Sequence, residues 1–171
     1  MKRLLTAVLC TAALSSCGYH VAGKGELIPT TVKTVAIPAW GNVTTRYKLT
    51  DHIPEALSRE FLTRTRYKVV NDVNQADMVL RGAVVRYTAY GTVVDRDTGR
   101  ATVVELHLLL QVTLTERATG KVLFTRPSFE VRERYEISGD PKQYFDESDA
   151  ALDRASQEAA RNVVSSILEN F

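Results

Sequence analysis

The most reactive side chains in this sequence are two thiols, which stand in different contexts. Cys10 lies inside an apolar run over residues 4–14, whereas Cys17 directly follows Leu14-Ser15-Ser16. A cysteine can act as a nucleophile, bind a metal ion, pair in a disulfide or carry a lipid. Small residues let an extended backbone enter a peptidase. We therefore expect a cleavage site directly before Cys17 and modification of its thiol.

Residues 1–16 have the layout of an export signal. Lys2 and Arg3 form a positive start, and the apolar run that follows is shorter than the ~20 residues that a permanent membrane-spanning helix needs. The segment Leu14-Ser15-Ser16-Cys17 resembles the bacterial lipobox. This predicts that residues 1–16 are removed and that Cys17 becomes the lipid-modified first residue. The alternative is an ordinary signal followed by a chance cysteine.

Lipidation of Cys17 would fix the mature chain to a membrane. Acyl chains contribute about 0.8 kcal/mol per buried methylene, and stable anchoring takes more than one chain. Gly18, rather than Asp, follows the cysteine. By the retention rule of bacterial lipoproteins this favours the outer membrane, on its periplasmic side. Because Cys10 leaves with the signal, we expect no disulfide, thiolate nucleophile or thiolate metal site in the mature protein.

The other side chains that could do chemistry are scattered. His20, His52 and His107 lie in different segments without metal-site spacing, so we expect no metal ion and no cofactor. His107 lies on the polar face of a predicted strand and is expected at the surface. Asp95 and Asp97 fit a turn better than acid–base catalysis. The sequence has no glycine-rich phosphate loop and no nucleophile elbow, which indicates a protein that is not an enzyme.

Length and charge limit the remaining classes. Removing residues 1–16 from the 171-residue chain leaves 155, enough for one domain with a proper core. The formal net charge of +2 comes from Lys2 and Arg3, so the mature part is balanced. A neutral domain gives no support to nucleic-acid binding. We predict a signal over 1–16, a lipidated tether over 17–31 and a single domain over 32–171.

The domain must hold its side chains on strands and two helices. Apolar and polar residues alternate over 102–116, which is typical of a half-buried antiparallel strand. Helical spacing of Ile53, Leu57 and Phe61 predicts a first helix, with Thr50 as its N-cap and Pro54 in its first turn. The predicted strands cover 32–37, 67–70, 76–94, 102–116 and 121–137, the last interrupted at Pro127, and the helices cover 50–65 and 147–170.

This order predicts an α+β fold. Two amphipathic helices pack on one face of a mostly antiparallel, four- to five-stranded sheet and form a two-layer sandwich. Gly82 is expected at a bulge or a close approach. Trp40 could line a ligand site, although a core anchor is the commoner role. Tyr87 and Tyr90, with Arg81 and Arg86, form either a solvated face or a surface that enters a partner.

Several segments of the chain are very similar to LptE-type lipoproteins. Each is a soft motif, but their order and the lipobox together are fairly specific, and the similarity covers the mature chain. The matching segments are Cys17-Gly18-Tyr19-His20-Val21-Ala22-Gly23, Ala36-Ile37-Pro38 with Trp40 and Asn42, the run over 59–70, Ala76-Asp77 with Leu80-Arg81-Gly82, Tyr135, Ala159-Ala160, Val163-Val164 and Ile167-Leu168.

This resemblance implies an outer-membrane lipoprotein that plugs the LptD β-barrel and helps deliver lipopolysaccharide to the cell surface. Lipid A phosphates need cationic partners. In the family, basic residues near a hairpin tip and near the start of the last helix contact the glycolipid. Here those places hold Arg96, Arg100 and Lys142, for which solvated turn charges are the alternative.

A second resemblance leaves a different role open. Ile37-Pro38, the following helix and the run over 76–82 are also similar to the periplasmic modules of CsgG and TolB-like proteins, which are assembly or scaffold domains. The strand-rich second half favours the LptE type. A periplasmic lipoprotein hydrolase is a third class, for which the sequence offers no triad.

Overall fold

The computed structural model describes Ile28, residues 31–137 and residues 148–169. The signal and Cys17 lie outside these residues. The elements run in the order β1, β2, α1, β3, a short 3₁₀ turn, β4, β5, β6 and α2. Their bounds are Thr34–Ala36, Gly41–Asn42, Leu49–Arg64, Lys68–Val70, Val73–Gln75, Met78–Val94, Ala101–Glu116, Val122–Glu136 and Ser148–Glu169.

The strands form one mixed sheet in the order β3-β1-β4-β5-β6, with β2 paired to β4 beside β1. The pairs β1–β3, β1–β4 and β2–β4 are parallel, whereas the long pairs β4–β5 and β5–β6 are antiparallel. Both helices pack on one face, so the predicted two-layer α+β fold is confirmed. The two-residue strand β2 lies between the strand predicted over 32–37 and the first predicted helix, and it was not predicted because it is too short to show a pattern.

The start of α1 differs from the prediction. Lys48 precedes the helix and makes no side-chain cap, so Thr50 is not the N-cap and lies inside the helix. Pro54 is the sixth helical residue, and it cannot donate a backbone hydrogen bond to the carbonyl of Thr50. The N–H of Trp40 donates to that carbonyl instead, at 3.2 Å. This hydrogen bond uses the carbonyl that Pro54 leaves free and joins the helix to the loop before it.

Trp40 is a core anchor. Its side chain is 2% exposed and packs on Gly82 of β4, where an added Cβ would lie 2.6 Å from Cε2 of the indole. The expected close approach at Gly82 is therefore present, because only glycine leaves room for the ring. The bulge lies three residues later: Val84 pairs with Leu110 and Arg86 with Leu109, which leaves Val85 unpaired.

The two helices run parallel and meet along a polar seam outside the core. At its start the ammonium of Lys48 lies 2.7 Å from the carboxylate of Asp149, and this contact lowers the pKa of Asp149. At its end Arg64 donates to the hydroxyl of Ser165 at 3.0 Å. Beneath the seam, apolar side chains of both helices are buried against β4, β5 and β6, among them Ile53, Leu57, Phe61, Leu152, Ala159, Val163 and Ile167.

Asp77 holds the first strand in place. Its carboxylate accepts the N–H groups of Lys33 at 2.8 Å and of Thr34 at 3.0 Å, and its own N–H donates to the hydroxyl of Thr34. The hydrogen bond from the backbone of Lys33 is the main reason that the pKa of Asp77 lies below its ordinary value. Thus β1, which is only three residues long, is held in the sheet by side-chain hydrogen bonds as well as by backbone hydrogen bonds to the neighbouring strands.

Within the described residues, neither helix is long and apolar enough to cross a membrane. Pro127 does not interrupt the last strand, contrary to the prediction. Strand β6 is continuous, and its register with β5 shifts between Arg126 and Phe129. An edge strand accepts a proline because one side of its backbone has no ladder partner.

Candidate functional site: the strand arm

The far end of β4 projects beyond the helix layer. Every side chain from Thr88 to Val94 is exposed, although the first half of the same strand is mostly buried. We call residues 86–103 the arm; it contains this half of β4, the turn at its tip and the beginning of β5. Tyr90, Val93 and Val94 are about half exposed there, at 48%, 51% and 54%.

The bulge at Val85 decides which arm side chains share a face. Beyond it, Tyr87 pairs with the buried Leu108 and lies on the helix side, where the Arg46 guanidinium stacks 5.0 Å from its ring. Tyr90 lies on the opposite, open face of the sheet, where its hydroxyl reaches His107. The two tyrosines therefore do not form one aromatic surface.

A polar network covers the open face at the base of the arm and joins three strands. The imidazole of His107 lies at its centre: Nε2 is 2.7 Å from the Tyr90 hydroxyl and 2.8 Å from Glu105, and Nδ1 is 2.9 Å from Glu130. We call this network the polar patch; its members are Tyr90 on β4, Glu105 and His107 on β5, and Glu130, Arg132 and Arg134 on β6.

Glu105 is the most enclosed member of the polar patch, since its side chain is 11% exposed. It accepts hydrogen bonds from His107 and, at 2.7 Å, from the guanidinium of Arg134. These bonds favour the ionised carboxylate and lower its pKa from 4.5 to about 2. Hydrogen bonds from Arg132 and His107 also lower the pKa of Glu130. The patch thus keeps two carboxylates ionised beside two arginines.

His107 is on the polar face, as expected, but it is not a free surface residue. Its side chain is 17% exposed and contacts both acids. The alternation of β5 predicts the face. Two partners of His107 come from the neighbouring strands, Tyr90 from β4 and Glu130 from β6. The β4–β5 and β5–β6 hairpins set the register that places these side chains beside the imidazole. Among the described residues, no three His, Cys, Asp or Glu side chains are grouped to hold a metal ion.

The tip of the arm is a tight turn that presents two arginines. The carboxylate of Asp95 accepts the N–H groups of Thr98 at 2.7 Å and of Asp97 at 3.1 Å, which lowers the pKa of Asp95. Gly99 closes the turn with a φ of +67°, a conformation that favours glycine. Arg96 and Arg100 are both exposed on this turn, and neither guanidinium group makes a hydrogen bond or ion pair among the described residues.

The other predicted site residues lie elsewhere. Lys142 and Cys17 are outside the described residues. Arg81 and Arg86 lie on the open face with Tyr90, nearer the base of β4, and both are exposed.

Sequence reasoning missed a hydrogen-bonded loop that covers the base of the arm. The side chain of Asn42 donates to the carbonyl of Arg46 at 2.8 Å and accepts the N–H of Thr44 at 2.9 Å. The loop holds Arg46 over the helix side of β4 and leaves Val43 and Tyr47 exposed, at 77% and 75%. Asn42 could have predicted this loop from the sequence, because asparagine side chains commonly close such turns.

Comparison with known proteins identifies the family to which this architecture belongs. The LptE family model, described as lipopolysaccharide-assembly, matches residues 32–167. The chain belongs to the LptE family. This decides between the two resemblances seen in the sequence, and it makes the chain a member of a family of non-enzymatic assembly lipoproteins. No curated protein matches the chain.

Solved structures share the LptE-family fold at low sequence identity. Lipoprotein B from Nitrosomonas europaea, described as uncharacterized, superposes with a TM-score of 0.53 at 16% identity, covering 78% of this chain and 81% of that one. A PelC variant from Paraburkholderia phytofirmans, described as a dodecamer, has a TM-score of 0.51 at 17% identity, covering 80% and 89%. At these identities the likeness concerns the fold alone.

The polar patch predicts an acid-sensitive arm. Since the pKa of Glu105 is lowered by folding, its ionised form stabilises the fold above the ordinary value of 4.5, and this contribution is lost as the pH falls toward about 2. An NMR titration of the Glu105 carboxyl carbon should therefore give a midpoint near 2. Glu105→Gln should flatten the fall in unfolding free energy between pH 4.5 and 2.5.

Glu55→Gln is the matched control, because Glu55 is exposed on α1 and its carboxylate makes no hydrogen bond in the described part of the chain. A Glu105 midpoint at pH 4 or above, or equal flattening by both variants, would contradict the assigned network.

Proposed function

We propose that this protein is an outer-membrane lipoprotein that plugs the LptD-type β-barrel and helps deliver lipopolysaccharide to the outer leaflet. The observation that carries the proposal is the family match over 32–167, almost the whole domain. The protein acts by binding and positioning, without catalysing a reaction. Its barrel partner, the glycolipid and the acyl anchor together define its place in the envelope.

The dimensions of the sheet suit a plug. At about 3.3 Å per residue, the 17 residues of β4 span roughly 55 Å, more than the ~30 Å hydrocarbon core of a bilayer. A domain of this length reaches through a barrel lumen. The lumen of such barrels is polar, and the open face of the sheet offers paired charges and hydroxyls to it.

In this proposal the anchor belongs to the end of the domain opposite the tip of the arm. The described chain enters the core at Ile28 and Val32, which are 3% and 4% exposed, next to the start of β4. Ten residues lie between Cys17 and Ile28, and the eleven Cα–Cα steps that they create reach at most about 40 Å. The acylated Cys17 therefore keeps the base of the sheet near the periplasmic surface of the membrane, and the arm points away from that end.

The glycolipid contact is proposed at the tip. Arg96 and Arg100 are exposed on a turn that hydrogen bonds fix, and their guanidinium groups suit the paired oxygens of a phosphate. Lys142 is proposed to add a third cation, as the family resemblance implies.

The first test is recovery of the barrel. The protein carrying a C-terminal tag should co-purify from detergent-solubilised outer membranes with a large β-barrel that mass spectrometry identifies as LptD. An unrelated outer-membrane lipoprotein with the same tag is the control. Recovery of the tagged protein without any large barrel would rule out the plug.

The anchor has its own test. Cys17→Ala should give an unlipidated protein that no longer sediments with membranes when the barrel is depleted, because the acyl chains provide the membrane affinity. Acylation is read from the mass of the mature N-terminal peptide. An unmodified Cys17 in the parent protein, or sedimentation of the variant equal to that of the parent, would contradict the anchor.

Charge reversal tests the tip. Arg96→Glu with Arg100→Glu should weaken binding of purified lipopolysaccharide by about tenfold at low salt, since two exposed charge pairs worth about 0.7 kcal/mol each together give about 1.4 kcal/mol. The matched control is Arg59→Glu with Arg126→Glu, two exposed arginines outside the arm. Equal losses in both double variants would show non-specific charge attraction instead.

A further inference from the structure

The two edges of the sheet beside the long strands are protected very differently. Strand β6 is the outer strand on one side, and beyond Val84 strand β4 becomes the outer strand on the other. Strands β1 and β2 pair with β4 only at residues 78–79 and 83–84, and the N–H of Val43 makes the last described bond to that edge, with the Val84 carbonyl. Alternate residues of β4 beyond this point direct N–H and C=O groups away from β5.

The β6 edge carries the features that natural sheets use against strand pairing. Charged side chains and proline on an edge discourage the approach of another strand. Strand β6 has both, at Arg126, Pro127, Glu130, Arg132, Glu133, Arg134 and Glu136.

The arm edge of β4 lacks them. Its eight residues from Tyr87 to Val94, Tyr-Thr-Ala-Tyr-Gly-Thr-Val-Val, contain no formal charge and no proline. They are rich in side chains with high strand propensity, and all but Tyr87 are exposed. Register irregularities lie next to Val85 and on both sides of Val93, and the stretch from Arg86 to Gly91 between them pairs regularly with β5. An uncovered edge of this kind aggregates unless a partner occupies it.

Charge and size together select the occupant. Arg86 lies at one end of the uncharged stretch and Arg96 and Arg100 at the other, so two copies of this edge would bring cations together. Eight strand residues are also far fewer than the 20–30 residues per side of a stable interface. The edge therefore fits a strand contributed by a protein that touches the domain over a much larger surface.

We infer that the β4 edge from Tyr87 to Val94 binds an extended segment of the barrel partner by strand addition, the segment being uncharged in its middle and acidic near Arg86 or Arg96. This rests on the proposed plug function and adds a backbone contact to it. Main-chain hydrogen bonds supply the affinity in this mode, and the alternating side chains supply the specificity.

Hydrogen exchange of the purified barrel complex tests the inference against the free full-length lipoprotein. Those amides of residues 87–94 that point away from β5 should exchange at least about tenfold more slowly in the complex, because unpaired edge amides become bonded. The β6 edge, over residues 125–134, is the internal control and should change less than the β4 edge.

A pair of matched variants tests the same contact through binding. Thr88→Lys with Val93→Lys places charges on the arm edge, and Ser128→Lys with Val122→Lys places them at equally exposed positions of β6. The first pair should lower barrel affinity by about tenfold and the second by less than about twofold. Circular dichroism checks that all four substitutions leave the fold intact.

The possible outcomes distinguish strand addition at the β4 edge from the proposed plug function. A complex that forms without slower exchange at 87–94 overturns the strand addition and leaves the plug standing. Slow exchange in the free chain at every concentration means that the protein's own chain covers the edge, and slowing that grows with concentration means a second copy; each overturns the inference. Absence of any complex overturns the plug, and the inference with it.

Discussion

The helices of this protein are shorter than the strands that they cover, and the rest of the architecture depends on this mismatch. At 1.5 Å per residue the 22 residues of α2 extend about 33 Å, whereas the 17 residues of β4 extend roughly 55 Å. A two-layer fold can bury apolar side chains only where both layers overlap. The strand ends beyond the overlap must therefore be stabilised differently.

In the arm, side-chain hydrogen bonds take over from apolar packing. The polar patch joins β4, β5 and β6 across the open face, close to the point where the helix layer ends, and its enclosed carboxylate Glu105 is held ionised by His107 and Arg134. A turn fixed by Asp95 closes the far end. The arm thus keeps a defined shape although neither of its faces contributes much to the core.

Periodicity predicted the parts of the fold that repeat. The alternation of β5 and the helical spacing of Ile53, Leu57 and Phe61 depend on burial of one face, so the layers and the long elements could be derived. Local irregularities leave no periodic pattern in the sequence. The bulge at Val85, the short β2 and the place of Pro54 within α1 follow from tertiary contacts instead. For the site, residue types predicted exposed arginines at the tip, whereas the network around His107 needs the cross-strand register, which a sequence does not display.

The parallel pairing of the helices has a consequence for the order in which the protein matures. Contacts such as Lys48 with Asp149 and Arg64 with Ser165 join positions about 100 residues apart, so α1 lacks its partner helix until the end of the chain is present. Closing loops of that length precedes any gain from burial and slows folding. In the proposed export from the N-terminus, the core is therefore complete only after the last helix has crossed the membrane, and until then the apolar surfaces of α1 and of the sheet stay exposed.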